Sequence, residues 1–292
     1  MNRIFALGFF DGVHLGHQAL LAECCRLAAE NNCETAAITF ETHPQSPFTK
    51  NPPRQINTLQ DRNMLLLRYG IDRVYAFPAT EDVMSTEWEA FLELLLTYGG
   101  AGFVCGEDFR FGRGGEGNVE KLRQFCRERQ LPCSIVPEQL LDGMRIASTH
   151  IRSLLEEGNM EEANRFLGHP HVLSGEVTTG RKLGRTLGIP TANLLIPEGV
   201  VCPKHGVYAC KAVVEGSEYL AVTNVGNRPT VGGHRVTVEP WLLDFDGDLY
   251  GKHLLLEFHS FLRAEKKFDS LEILKAEIQE NARQTRKFFE KT

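Results

Sequence analysis

Two histidines three residues apart, His14 and His17, follow an apolar run and a glycine-bracketed turn: Ile4-Phe5-Ala6-Leu7 leads into Gly8-Phe9-Phe10-Asp11-Gly12-Val13-His14-Leu15-Gly16-His17. A buried strand that breaks at Gly8 and opens a helix here would offer free backbone N–H groups beside both imidazoles. Glycine at 8 and 16 admits close backbone approach. The arrangement suits a nucleotide phosphate, with Gly8, Phe9 and Gly16 walling an ATP site and His14 and His17 as its side-chain donors. A histidine is often an ordinary surface or core residue. Here the setting favours chemistry, because the pair lies between a strand and the amphipathic run from His17 to about Asn31.

Other segments carry similar donors. Ser148-Thr149-His150-Ile151-Arg152 reads as a helix start whose hydroxyls, N–H groups and guanidinium suit phosphate oxygens; the plain alternative is an N-cap followed by a solvated arginine. Further along, Gly175-Glu176-Val177-Thr178-Thr179-Gly180-Arg181-Lys182-Leu183-Gly184-Arg185 precedes Thr186-Leu187-Gly188-Ile189-Pro190-Thr191-Ala192-Asn193. Gly180, Arg181, Lys182, Gly184 and Arg185 could form a loop over a nucleotide. Thr191 and Asn193, at strand spacing, direct two hard oxygen donors the same way, a set suited to Mg²⁺ bound mainly by phosphates. Hairpin turns would explain the glycines but not the whole string. Asp244, Asp246 and Asp248 lack the glutamate that completes a calcium loop and read as a turn between strands.

These residues need elements to hold them. Up to about residue 168, strand-like runs (Ile4–Leu7, Ala36–Phe40, Arg73–Phe77, Gly102–Cys105, Ser134–Val136) alternate with amphipathic ones (from His17, Thr58 to Tyr69, Thr86 to Tyr98, and near Ser148 and Asn159). That order predicts an α/β, doubly wound parallel sheet, with ligand-bearing loops beyond the strands' carboxyl ends. Thr86 and Glu89 have capping-box spacing, and Gly70, Gly99 and Gly158 read as helix stops. Beyond Leu167-Gly168-His169-Pro170 the pattern becomes short β-branched runs without intervening helices, then one helix from about Ser270 to Phe289. This predicts a small antiparallel β-barrel with a C-terminal helix. The expected domains are 1–168 and 169–292.

Composition narrows the partners. The 292 residues carry a formal charge of −6 with both signs mixed, so no basic footprint for nucleic acid stands out. No apolar run approaches a membrane span, and Met1 leads directly into strand-like sequence, which predicts a cytoplasmic protein with no membrane partner, a monomer or weak homo-oligomer acting on small molecules. The eight cysteines include no C-x-x-C pair and read as small buried hydrophobes.

The N-terminal motifs, together with Phe40-Glu41-Thr42-His43-Pro44 and Gly106-Glu107-Asp108-Phe109-Arg110-Phe111-Gly112, resemble the FMN adenylyltransferase module of bacterial bifunctional riboflavin kinase/FAD synthetase. The resemblance implies that His14 and His17 hold the ATP phosphates, that Ser148, Thr149 and Arg152 contact the triphosphate, and that Asp108 and Phe109 lie beside metal or flavin. The C-terminal string, with Pro190-Thr191-Ala192-Asn193 as its most specific part, is similar to the riboflavin kinase signature, and the likeness continues through Gly206-Val207-Tyr208-Ala209 and Asn224-Val225-Gly226-Asn227-Arg228-Pro229-Thr230. It implies that Thr191 and Asn193 coordinate Mg²⁺, that Gly180 through Arg185 cover ATP, that Glu239 is the base taking the proton of the ribityl hydroxyl, and that Arg263 helps close over the flavin. Without the family, Glu239 reads as an ordinary strand carboxylate. The chain departs from the family pattern at Thr42, usually proline, and at Ala147, commonly serine. The implied activity is riboflavin to FMN, then FMN to FAD, each step with ATP and a divalent cation. Two rival readings keep the folds but change the function: adenylyl transfer to another acceptor, and a non-catalytic flavin carrier.

Overall fold

The computed structural model describes residues 1–178, 189–230 and 233–291. The chain divides into two compact units, Met1–Ser148 and Thr149–Thr292.

The first unit is built on five strands, β1 (Arg3–Leu7), β2 (Glu34–Phe40), β3 (Arg73–Phe77), β4 (Gly100–Gly106) and β5 (Cys133–Val136). They pair in the order β3-β2-β1-β4-β5, each pair parallel. The chain runs outward from β1 through β2 to β3, then returns to place β4 on the other side of β1. The topological switch therefore falls between β1 and β4, where doubly wound sheets open a crevice beyond the strand ends. Helices α1 (Leu15–Glu30), α2 (Leu59–Arg68), α3 (Glu81–Met84), α4 (Trp88–Thr97) and α5 (Val119–Glu128) supply the crossovers. Burial on both faces explains the apolar strands: Phe5, Ala36, Phe103 and Cys105 join Leu92, Leu95, Leu122 and Phe125 in one core.

Local chemistry fixes the helix ends. Thr58 Oγ1 accepts from the Asp61 N–H at 3.0 Å and donates to Asp61 Oδ2 at 2.8 Å, starting α2 where the pattern predicts. The expected Thr86 cap does not form. α4 begins after Glu87 with no side-chain cap, and the Thr86 hydroxyl instead donates to the Asp82 carbonyl at 3.4 Å, because α3 turns the chain just upstream. A hairpin absent from the predicted elements, β6 (Leu140–Leu141) with β7 (Met144–Arg145), turns at Asp142-Gly143, whose φ values of 52° and 76° are those of a primed turn.

The second unit starts with α6 (Ser148–Glu157, whose first residue ends the first unit) and α7 (Met160–Leu167), followed by β8 (His171–Glu176), β9 (Leu194–Leu195), β10 (Gly206–Val214), β11 (Ser217–Thr230), β12 (Gly233–Leu242), β13 (His253–Ala264) and α8 (Leu271–Phe289). The six strands pair antiparallel in the order β8-β13-β10-β11-β12-β9. Where the order runs out, the Thr178 N–H donates to the Asn193 carbonyl at 2.9 Å, so the sheet nearly closes into a barrel. Asn164 in α7 ties that helix to two strands, accepting from the His171 N–H at 2.8 Å and donating to the Phe258 carbonyl at 2.7 Å. Ser270 caps α8, whose Ala282 packs against Val207, Val222 and Leu243. The acidic run after β12 is a turn, held to α8 by paired Arg286–Asp244 bonds of 2.8 and 2.9 Å.

Candidate active sites

In the first unit the turn after β1 places both histidines. Phe10 and Val13 take left-handed backbone, φ 58° and 42°, a costly conformation for such side chains that tends to collect at functional turns. His14 caps α1: its Nδ1 accepts the His17 N–H at 3.3 Å, so the proton of the neutral ring sits on Nε2. The two imidazoles stack with centroids 3.6 Å apart, and the Phe10 ring meets His17 edge-on at 5.3 Å. A Cβ at Gly16 would lie 3.3 Å from the His14 ring, tighter than ordinary van der Waals contact, so the ring would have to shift.

His17 Nδ1 is buried and has no hydrogen-bond partner among the described residues. That leaves Nε2 as the nitrogen able to meet a ligand. Burial, then the His14 ring and the Arg62 guanidinium, hold the His17 pKa well below the ordinary value, so the ring is neutral at pH 7. A neutral imidazole can take part in hydrogen bonds but carries no full positive charge.

Both histidines line a cavity of about 300 Å³ at the switch point, with Gly8, Phe9, Gly16, Asp108, Phe109, Arg145 and Ser148. Its rim is charged. Arg145 donates to Asp108 Oδ2 at 2.6 Å and pairs with Glu138 at 2.5 Å. The Ser148 hydroxyl donates to the Asp11 carbonyl at 2.9 Å. Thr149 and Arg152, also expected here, belong to the second unit and are not among the residues that line this cavity; on α6 Arg152 donates to Thr149 Oγ1 at 3.0 Å.

A second cavity of about 400 Å³ shares Gly8, Phe9, Asp108 and Phe109 with the first, but its walls are Ile38, Phe40, Phe77, Met84, Phe91 and Phe111. Phe109 stacks on Phe111 at 5.5 Å. A histidine-lined cavity with a charged rim thus meets an apolar, aromatic one along a shared seam.

In the second unit a cavity of about 330 Å³ collects Thr191, Asn224, Glu239, Trp241, Arg263, Lys266, Phe268 and Asn281. The register of β11 on β12 puts Asn224 opposite Glu239. Thr237 donates to Glu239 Oε1 at 3.4 Å. Arg263 donates to Asn281 Oδ1 at 3.1 Å and pairs with Glu277 at 3.0 Å, and its guanidinium lies 5.6 Å from the Phe268 ring centroid. Glu239 is half-buried and lines this cavity with Arg263 and Trp241. Asn193 is buried, 6% exposed, beside the seam of the barrel. Gly180, Arg181, Lys182, Gly184 and Arg185 lie outside the described residues.

The donor chemistry fits a divalent cation carried in with phosphates. Thr191 and Asn193 bring hard oxygens, while no group of three or more His, Cys, Asp or Glu residues among the described residues could cage a metal by itself. Mg²⁺ suits such a site, since it keeps waters and phosphate oxygens as most of its ligands. None of the eight cysteines forms a disulfide; Cys24, Cys105, Cys126 and Cys210 are buried as expected, whereas Cys25, Cys33, Cys133 and Cys202 are only half-buried.

The FAD synthetase family model matches residues 1–150 and the riboflavin kinase family model matches residues 167–289. The chain belongs to the bifunctional riboflavin kinase/FMN adenylyltransferase family. Proteins of that name from Listeria monocytogenes and Escherichia coli K12 are 34% and 35% identical to it, over 100% and 98% of this chain and 94% and 92% of theirs. A solved structure titled as a macrolide-efflux protein from Streptococcus pneumoniae superposes with a TM-score of 0.86 at 28% identity, covering 98% of this chain and 94% of that one. Among the described residues no helix is long and apolar enough to cross a membrane. Members of this family are riboflavin kinases and FAD synthetases, and the two matched segments correspond to the two units that carry the cavities.

Several cavity residues lie outside the expected set. Arg145, Glu138 and the hairpin between them needed the Asp142-Gly143 turn signal, and Asn224 and Trp241 needed the register of β11 on β12.

Proposed function

We propose that this chain converts riboflavin to FMN in the barrel unit and FMN to FAD in the α/β unit, each step consuming one ATP. The observation that carries the reading is the pairing, at one switch point of the first unit, of a histidine-lined cavity with an aromatic one, while the barrel unit has a carboxylate-bearing cavity of its own.

For adenylyl transfer, FMN already presents an ionised phosphate, so no base is needed. A phosphate oxygen of FMN bonds to the α-phosphorus of ATP as the bond to pyrophosphate breaks. His14 and His17 offer neutral imidazole donors to the phosphates, Gly8, Phe9 and Gly16 the backbone wall, and Ser148, Thr149 and Arg152 contacts along the triphosphate. The flavin ring lies in the aromatic cavity beside Phe109, with Asp108 at the seam. For phosphorylation, the ribityl hydroxyl attacks the γ-phosphorus of ATP and gives its proton to Glu239. Arg263 and Phe268 border the flavin, while Gly180, Arg181, Lys182, Gly184 and Arg185 cover ATP. Thr191 and Asn193 would hold Mg²⁺, which neutralises charge on the phosphates when bound.

The functional domains in this reading are 1–168 and 169–292, with α6 and α7 leading into the barrel. The mixed surface charge and free cysteines support a cytoplasmic protein, monomeric or weakly self-associating, with no nucleic-acid partner. Two substitutions test the two-site assignment. His17→Asn should stop FAD formation while FMN accumulates from riboflavin, and Glu239→Gln should slow FMN formation ~10²- to 10⁴-fold, the span of a lost general base, while FMN supplied directly still becomes FAD. Loss of both activities from either folded variant would overturn it.

A further inference from the structure

Phe9 lines both cavities of the first unit and so stands at the seam between them. Three neighbours fix it. Its carbonyl accepts the Thr39 hydroxyl at 2.7 Å, the His43 ring meets it edge-on at 5.2 Å, and the Arg62 guanidinium lies 4.5 Å from its centroid. Arg62 lines neither cavity. It is 0% exposed, in the second turn of α2, and donates to the Phe40 carbonyl and, at 3.4 Å, to Gln55 Oε1.

A buried guanidinium is expensive to keep. Burial lowers its pKa to about 10, opposed by Asp11, so it stays charged at neutral pH. Its Nε has no hydrogen-bond partner among the described residues. Asp11 in turn accepts the Ile56 N–H at 2.7 Å on Oδ1 and the Ser148 hydroxyl at 2.9 Å on its carbonyl. Arg62 thus joins the end of β2 to the segment before α2 and interacts electrostatically with Asp11 in the β1–α1 turn, and Asp11 in turn holds Ser148, so that the cation lies one residue away from two places that carry proposed phosphate-binding groups.

We propose that Arg62 is a positioning residue for adenylyl transfer: from beneath the site it holds Phe9, and with it the seam between the two cavities, in the geometry that brings the substrate phosphates together. A cation over the ring face restrains Phe9 in a way an apolar side chain of similar length cannot. Small displacements at a reacting centre cost rate more than affinity.

This inference rests on the adenylyl-transfer reading, and its test separates the two. The full chain is assayed as wild type, Arg62→Met, Arg62→Lys, Phe9→Leu and the two Phe9→Leu/Arg62 doubles, measuring kcat and KM for FMN plus ATP and, separately, riboflavin phosphorylation. Arg62→Met is expected to lower kcat for FAD formation ~10- to 100-fold with KM for either substrate changed less than ~3-fold and phosphorylation unchanged, the loss a misplaced reacting group produces. Arg62→Lys should recover most of that loss, because it keeps the charge over the ring. In the Phe9→Leu background, changing Arg62 should cost less than ~2-fold, since an effect carried through the ring vanishes with it. If Arg62→Met does not fold, the Lys variant in both backgrounds gives the same coupling. An unchanged kcat, a Lys variant as poor as the Met one, or an equal loss with and without the Phe9 ring would overturn the inference. A wild-type chain that makes no FAD would instead overturn the functional reading.

Discussion

Acid should weaken the barrel unit through one residue, His171. It opens β8 with 3% exposure, its ring packs against Phe258 at 5.6 Å, and its Nδ1 has no hydrogen-bond partner among the described residues. Burial, with a smaller contribution from His169, holds its pKa down at about 3 against an ordinary 6.5. The folded state therefore keeps the ring neutral, whereas the unfolded chain takes up a proton as pH falls through 6.5. Stability from this residue is complete above that value and drains away down to about pH 3, at about 1.4 kcal/mol per pH unit. At pH 5, about 1.5 units below the unfolded value, the loss is about 2 kcal/mol. Urea unfolding at pH 7 and pH 5, followed by Trp241 fluorescence in a Trp88→Phe background, reads it directly. His171→Leu keeps the backbone N–H bond to Asn164 but cannot titrate, so its stability should fall less than that of the parent over the same interval, by about 2 kcal/mol. Carboxylates contribute equally to both proteins and cancel. A pH dependence equal in the two, within about 0.5 kcal/mol, would refute the argument, because that is the usual limit for resolving such differences.

Two other perturbations follow from the geometry. Gly112 has φ 73°, and a Cβ there would come within 2.6 Å of the Trp88 backbone, so Gly112→Ala should push the outer wall of the aromatic cavity away; the expected result is a raised KM for FMN in FAD formation, a first-unit melting temperature lowered by several degrees, and unchanged riboflavin phosphorylation. Chelation with excess EDTA should halt both conversions and added Mg²⁺ should restore them, and a kinase step that continued in EDTA would remove Thr191 and Asn193 from their proposed role.

The sheet was readable because both faces of its three central strands, β2, β1 and β4, are buried, which makes them nearly continuous apolar runs, and the β-α alternation then dictates a parallel order with the crevice beside β1. The histidine turn was readable because spacing and setting agreed. The kinase motif was readable as a string, although nothing in spacing alone separates Glu239 from a solvent-facing strand residue; its cavity appears only once β12 is paired with β11 and α8 covers the strands. Thr86 misled because a capping box depends on where the preceding turn ends, and α3 ends there. Arg62 carries no local signal. It looks like the polar face of an amphipathic helix, and only tertiary packing buries it beneath Phe9.

The central claim is that one chain carries both chemistries. Purified protein incubated with riboflavin, ATP and Mg²⁺, sampled over time and resolved into riboflavin, FMN and FAD, should show FMN appearing first and FAD following at its expense. No conversion of riboflavin, together with no conversion when FMN and ATP are supplied, would contradict the account and leave a flavin-binding protein without turnover.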